Sequence, residues 1–350
     1  MEFNATKAVA DFYAKKEAEK KPHKSGPSGK KKTNWSEKHF IAWDGEGCDL
    51  KTPDCGDIVP HIYNFIANSE GVELYTGPEV GLDTVDILEA FCESAERFPK
   101  AINVVYGGSY DFNMILRDIP KEKMEEIIAA DGRDFVMWGY YAIRMIQRKY
   151  LAVAKVKDDR LFIQKANGEW KRNFDTPFVL WDVIGFFQGA FINTIESWLG
   201  KDYPDLAVIK EGKEQRKDFS NTTLEYIRRY NTAELKALVA LMELLHEAMS
   251  NLGLTLSRWD GAGAVAAAIN KKHDVKKWLG KRLDKDDPIQ IACQHAYFGG
   301  RIELGRYGCH DGTIYHYDIN SAYPDKQRKL PQMNEGTWVR YAENDPMLNE

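Results

Sequence analysis

Cysteine is scarce in this 350-residue chain, and its five copies, Cys48, Cys55, Cys92, Cys293 and Cys309, include no C-x-x-C pair. That excludes the usual zinc-finger ligand spacing and, with no leader-like apolar segment ahead of them, implies reduced thiols in a cytosolic setting. Long apolar runs are missing as well. The longest, Phe178 to Ile192, is interrupted by Asp182 and Gln188 and falls short of the ~20 residues that cross a bilayer, so no membrane partner is expected. Arginine does not occur before Arg97, which argues against an Arg-rich transit peptide. Internal repeats are lacking, and His39, His61 and His295 show no metal-ligand spacing, which leaves them structural roles.

What is present is a globular composition, 43% hydrophobic, in a chain long enough for two domains. The formal charge of −5 is unevenly spread: residues 1–33 carry nine Lys against four acids, so the remainder is strongly acidic. An acidic body argues against nonspecific nucleic-acid binding but is compatible with a local basic groove. Pro22, Gly26, Pro27 and Gly29 among five Lys make Lys21 to Thr33 a flexible linker that favours solubility.

Order is expected from Trp35. His39 to Trp43 reads as a short strand ending in Asp44-Gly45-Glu46-Gly47, followed by a meander of two strands, Ile58 to Ala67 and Gly71 to Thr76. Thr84 to Glu96 has helical spacing, and Ala101 to Tyr106 is a buried strand that breaks at Gly107-Gly108 into Ser109-Tyr110-Asp111 and a helix. A short helix after Lys121 leads into a β-rich insert containing Ala142 to Gln147, Leu151 to Val156, Arg160 to Gln164 and Phe178 to Trp181. Phe191 to Trp198 is helical, and Thr222 to Met249 carries apolar residues at three- and four-residue steps behind the capping sequence Ser220-Asn221-Thr222. Gly261 to Leu279 is a further helix with a small-residue run.

Near the carboxyl end, Gly312 to Ile319 alternates so that Ile314, His316 and Asp318 share one face, placing Asp318 at a strand's mouth before Asn320-Ser321-Ala322-Tyr323-Pro324. Asp44 and Glu46, one residue apart at another strand end, share a face too. Two adjacent carboxylates repel, a cost commonly met by a hard divalent cation that takes oxygen ligands, although Asp-Gly-Glu-Gly also suits a solvated turn. Asp111 follows a second buried strand at its Gly-Gly turn. Glu234 projects from the long helix with Tyr230 one turn before it on the same face.

Asp-x-Glu, then Tyr-Asp after a strand, then Tyr-x-x-x-acid on a helix resembles the three exonuclease motifs of proofreading DNA polymerases of family B. Asp318-Ile319-Asn320-Ser321-Ala322-Tyr323-Pro324 resembles that family's first polymerase motif in its protein-primed form, known from phages, viruses and linear plasmids. Tyr297-Phe298-Gly299-Gly300 resembles the Tyr-x-Gly-Gly element between the two domains, which contacts the template strand. The resemblance covers roughly Trp35 to Pro331.

The resemblance implies an α/β, RNase H-like exonuclease domain with a mixed sheet flanked by helices, followed by the beginning of a polymerase palm. The expected organisation is a basic tail (1–33), the exonuclease domain (34–250), a helical connector (251–296) and the start of the palm (297–350). Asp44, Glu46, Asp111 and Glu234 become ligands of two Mg²⁺ or Mn²⁺ ions about 3.5 to 4 Å apart, with Tyr230 orienting the attacking water. Lys210 and Lys213, with Arg216 and Lys217, form a basic patch where family members often place a Lys on the scissile phosphate; a solvated loop fits the same residues. Tyr106, Tyr110, Phe112, Phe186 and Phe187 are candidates for stacking on bases or for the core. Asp318 and the Ile319 carbonyl would hold catalytic metal, Ser321 and Ala322 would meet the incoming dNTP, and Tyr323 would stack under its sugar.

Two departures stand out: Glu234 replaces the usual Asp, and Gly107 or Gly108 occupies the place of an expected Asn. The second polymerase motif and the Asp-Thr-Asp hairpin have no counterpart, since Asp284-Lys285-Asp286-Asp287 precedes the first motif in a charged loop. The expectation is therefore an amino-terminal fragment or split half of a DNA-directed DNA polymerase, acting in DNA replication with a 3′-5′ exonuclease. Its partners would be single-stranded 3′ ends, primer-template, dNTP, and a terminal protein primer or separate carboxy-terminal half. Host cytoplasm is the expected location, or an organelle if the source is a plasmid. The alternatives are a stand-alone 3′-5′ exonuclease and a catalytically silent nucleic-acid-binding module.

Overall fold

Alternation decides the first strand. In the computed structural model, β1 (Phe40–Asp49) sends Phe40 and Ala42 into one hydrophobic core and Ile41 and Trp43 into another on the opposite face. The structure describes residues 39–49, 61–77, 80–165, 167–215 and 222–275, with 291 and 329 as isolated positions. The chain divides into two units, Met1–His273 and Asp274–Glu350, and all the elements below belong to the first. The polymerase-like residues Asp318, Ser321, Ala322 and Tyr323, the Tyr297, Gly299 and Gly300 element, and the basic tail lie outside the described residues.

β1 does not end at Trp43 as expected. It continues through Asp-Gly-Glu-Gly, paired antiparallel with β2 (His61–Asn68), so the two acids sit in a paired strand and not in a solvated turn. β3 (Glu73–Tyr75) completes the meander. α1 (Thr84–Arg97) then presents Ile87, Leu88 and Phe91 to the core, where the Trp43 ring meets Phe91 edge-on at 4.8 Å. The chain returns in β4 (Ile102–Val105), parallel to β1, and turns into α2 (Ser109–Ile115) and α3 (Lys121–Ala129).

The β-rich insert comprises β5 (Val136–Trp138), β6 (Tyr141–Ile146) and β7 (Tyr150–Lys155), then the separate ribbon of β8 (Phe162–Gln164) and β9 (Trp170–Arg172). β10 (Phe178–Asp182) closes the excursion by lying parallel to β4 and antiparallel to β7. The result is an eight-stranded mixed sheet of order β3-β2-β1-β4-β10-β7-β6-β5. β5, β9 and the helix at 206–215 described next carry too few alternating or periodic residues to stand out in the sequence.

After the short α4 (Ile184–Phe187) come α5 (Phe191–Trp198), α6 (Leu206–Gln215), the long α7 (Leu224–Asn251) and α8 (Ala262–Lys272). Thr223 caps α7, its hydroxyl oxygen accepting from the Tyr226 N–H. Leu238, Leu241, Met242 and Leu245 pack against the β1 face that carries Phe40 and Ala42. Each fully buried side chain of this kind contributes about 1.5–3 kcal/mol, enough for the helix to carry a buried Glu234 into the same layer.

Candidate functional site

β4 pairs with β1 only over Phe40–Ala42 and ends at Val105, while β1 runs on to Asp49. Asp44 is thus placed just past the carboxyl end of the neighbouring parallel strand, where a crevice opens in α/β sheets. A cavity of about 130 Å³ lies there, lined by Asp44, Gly45, Tyr106, Gly107, Tyr110, Asp111, Phe191, Lys213, Glu234, Leu235 and Leu238.

Three elements bring acids to this cavity or, for Glu46, beside its lining. Asp44 and Glu46 come from β1 and Glu234 from α7, and their carboxylate oxygens lie within 4.8 Å of one another. Asp111, from the first turn of α2, lines the same cavity outside that tight group. Glu46, Asp111 and Glu234 are buried, and Asp44 is partly accessible at the cleft. Burial first, then the neighbouring charges of Glu234, Glu46 and Asp111, push the Asp44 carboxyl well above the usual carboxylate range, with Lys213 opposing. This set offers only carboxylate oxygens, the donor chemistry of Mg²⁺ or Mn²⁺.

The acids are held from behind. Asn231 Nδ2 donates to Asp44 Oδ2 at 3.0 Å and to its backbone carbonyl at 3.3 Å. Tyr63 Oη donates to Asp111 Oδ1 at 3.0 Å. Burial and then the Asp111 charge hold the Tyr63 phenol well above its ordinary pKa, so it remains a donor. The turn that launches α2 is tied by Asp182 at the end of β10. Its carboxylate accepts from the N–H groups of Gly107 at 2.9 Å, Gly108 at 3.0 Å and Ile184 at 3.1 Å.

The glycines of Asp-Gly-Glu-Gly have a steric reason. A Cβ at Gly45 would lie 1.7 Å from Tyr63 Oη, and one at Gly47 would lie 2.4 Å from Tyr110 Oη. Tyr63 passes β1 at the first gap to reach Asp111. At the second, Tyr110 Oη meets His61 Nε2 at 2.7 Å, while His61 Nδ1 is held by Asp49 Oδ1 at 2.8 Å. One strand segment therefore carries acids on one face and, on the other, no side chain at all.

No family model, no curated protein and no solved structure matches the chain. The site therefore rests on its own geometry.

Of the expected residues, Asp44, Glu46, Asp111, Glu234 and Lys213 converge. Lys213 Nζ lies 2.6 Å from Glu234 Oε1 and 5.7 and 5.8 Å from the Phe191 and Tyr230 ring centres. Lys210 pairs instead with Glu196 at 2.6 Å on the exposed side of its helix. Tyr230 is fully buried beside Cys48, and the described residues lining the cavity do not include it. Among the stacking candidates, Tyr106 and Tyr110 line the cavity, Phe112 is core, and Phe186 and Phe187 pack against the core. Tyr63, Asn231 and Asp182 join the site outside the sequence motifs. Asn231, three residues before Glu234 on one helix face, and Asp182, an acid ending a buried strand, repeat patterns visible in the sequence; a tyrosine inside a strand offers no comparable sign.

Proposed function

We infer that this chain is a divalent-cation-dependent 3′-5′ exonuclease acting on single-stranded DNA, carried in the amino-terminal region of a protein-primed DNA polymerase of family B. The carrying observation is the convergence of Asp44, Glu46 and Glu234 within 4.8 Å at the end of a parallel strand, with Asp111 on the same cavity. Three antiparallel strands followed by two parallel neighbours, β3-β2-β1-β4-β10, support an RNase H-like assignment.

Asp44, Glu46, Asp111 and Glu234 would hold the cations, which supply charge neutralisation and an activated water when bound. Asn231 orients Asp44, and the Asp182 clamp sets the start of the helix that carries Asp111. Lys213 lies against Glu234 at the cleft, within reach of an entering phosphate. Phe191, Leu235 and Leu238 form an apolar wall suited to the sugar and base of a terminal nucleotide. Splayed single strands can enter such a cleft, whereas a duplex end must first be unpaired. The polymerase assignment rests on the resemblance of the Asp318 to Pro324 segment, with dNTP and a priming protein as its partners.

The deciding experiment is digestion of 3′-labelled single-stranded DNA with Mg²⁺, Mn²⁺ or EDTA, comparing the chain with Asp111→Ala. Mononucleotide release that requires metal and falls more than about 100-fold in the variant supports the reading. Binding without cleavage under either metal would instead identify a silent nucleic-acid-binding module.

A further inference from the structure

Tyr63 is fully buried in the core beside Ile41 and Trp43, a role its ring would fulfil without a hydroxyl. Yet the hydroxyl reaches past β1, through the only kind of residue that leaves room for it, to Asp111 Oδ1. The other acids have different supports. Asp44 and Glu46 are fixed by a strand paired to β2, Asp44 is also bonded to Asn231, and Glu234 stands on a helix of 28 residues. Asp111 stands on the first turn of a seven-residue helix. Its carboxylate accepts a bond from β2, from Tyr63 Oη at 3.0 Å.

We propose that Tyr63 is a positioning residue for the cation site, aiming the Asp111 carboxylate into the cleft through the gap left by Gly45. The inference rests on the cation-binding reading of the four acids. Hydrogen bonds of this kind fix the orientation of ligating carboxylates, and their loss commonly weakens metal affinity 10- to 100-fold.

The test is Mn²⁺ titration of the full chain by calorimetry, with Tyr63→Phe, Asp111→Asn and the double variant, alongside melting curves in EDTA. Tyr63→Phe keeps the ring in the core and removes only the donor. The expected result is Mn²⁺ affinity about 10-fold weaker in Tyr63→Phe, a cooperative EDTA melt close to that of the unaltered chain, and no further loss when Tyr63→Phe is added to Asp111→Asn. A merely structural hydroxyl would shift the melt and leave the affinity alone. Affinity within twofold of the unaltered chain, or additive losses in the double variant, overturns the inference while leaving the cation site standing. Failure of Tyr63→Phe to fold also overturns it, because the hydroxyl would then be structural. Absence of Mn²⁺ binding in the unaltered chain overturns the cation-site reading and the inference with it.

Discussion

Asp44→Asn should make the metal-free protein more stable while abolishing hydrolysis. The carboxylate oxygens of Asp44, Glu46 and Glu234 lie within 4.8 Å of one another. At an effective dielectric constant of about 20, two unit charges at that distance repel by about 3.5 kcal/mol. Asp44 is partly accessible at the cleft and Lys213 offsets part of the field, so about 1–3 kcal/mol is the expected relief from neutralising it. The amide oxygen introduced at this position still accepts from Asn231, so no hydrogen bond is given up. For a unit of this size each kcal/mol moves Tm by about 2–4 °C.

The sign with pH follows from Asp44's raised carboxyl pKa. Between the ordinary aspartate range and that raised value the folded state holds a proton the unfolded state has lost, so stability falls as pH rises through this window. Melting curves in EDTA across pH 5 to 8.5 should therefore show the advantage of Asp44→Asn growing with pH. Mn²⁺ should raise Tm of the unaltered chain strongly and that of the variant weakly, since binding to the native state alone adds about 2.7 kcal/mol at a hundred times Kd. A variant that melts below the unaltered chain in EDTA at pH 7 to 8.5 would refute the repulsion argument.

Asp182→Ala removes one buried carboxylate and leaves three backbone N–H groups without their acceptor. The expected loss is about 3–5 kcal/mol, read from urea unfolding, and Asp182→Asn should recover only part of it because one of its two polar atoms cannot accept. Lys213→Met strips the nearest cation from buried Glu234. It should cost about 1–3 kcal/mol in EDTA and much less in saturating Mn²⁺, so a loss that is equal with and without metal would show that the lysine matters for packing alone.

Much of the fold could be read from period. α1, β4, α5 and α7 lie within a few residues of where apolar spacing puts them, because each buries one continuous face. Asp44, Glu46, Asp111 and Glu234 were legible because each is an acid beside or within an apolar run, and as a set through the resemblance of their order to the exonuclease motifs. The end of β1 was not legible: glycine usually signals a turn, and only contact with Tyr63 and Tyr110 shows that these two glycines stay extended inside a strand. For the same reason Tyr63 was invisible, since its role depends on a residue 48 positions away that the sheet brings beneath it. Lys210 and Lys213 look equivalent in sequence; their three-residue separation on α6 gives one a half-buried glutamate and the other the cleft.

The segment from Asp44 to Gly47 has a genetic consequence. Most surface strands tolerate substitution at every second position, because one face meets only water. Here neither face is idle: two positions carry the acids of the proposed cation site, and the glycine after each of them cannot gain even a methyl group without meeting a tyrosine hydroxyl. A saturation scan should therefore find four consecutive codons with no silent missense change, an interval whose intolerance exceeds that of the hydrophobic core strands beside it, where one aliphatic side chain can often replace another.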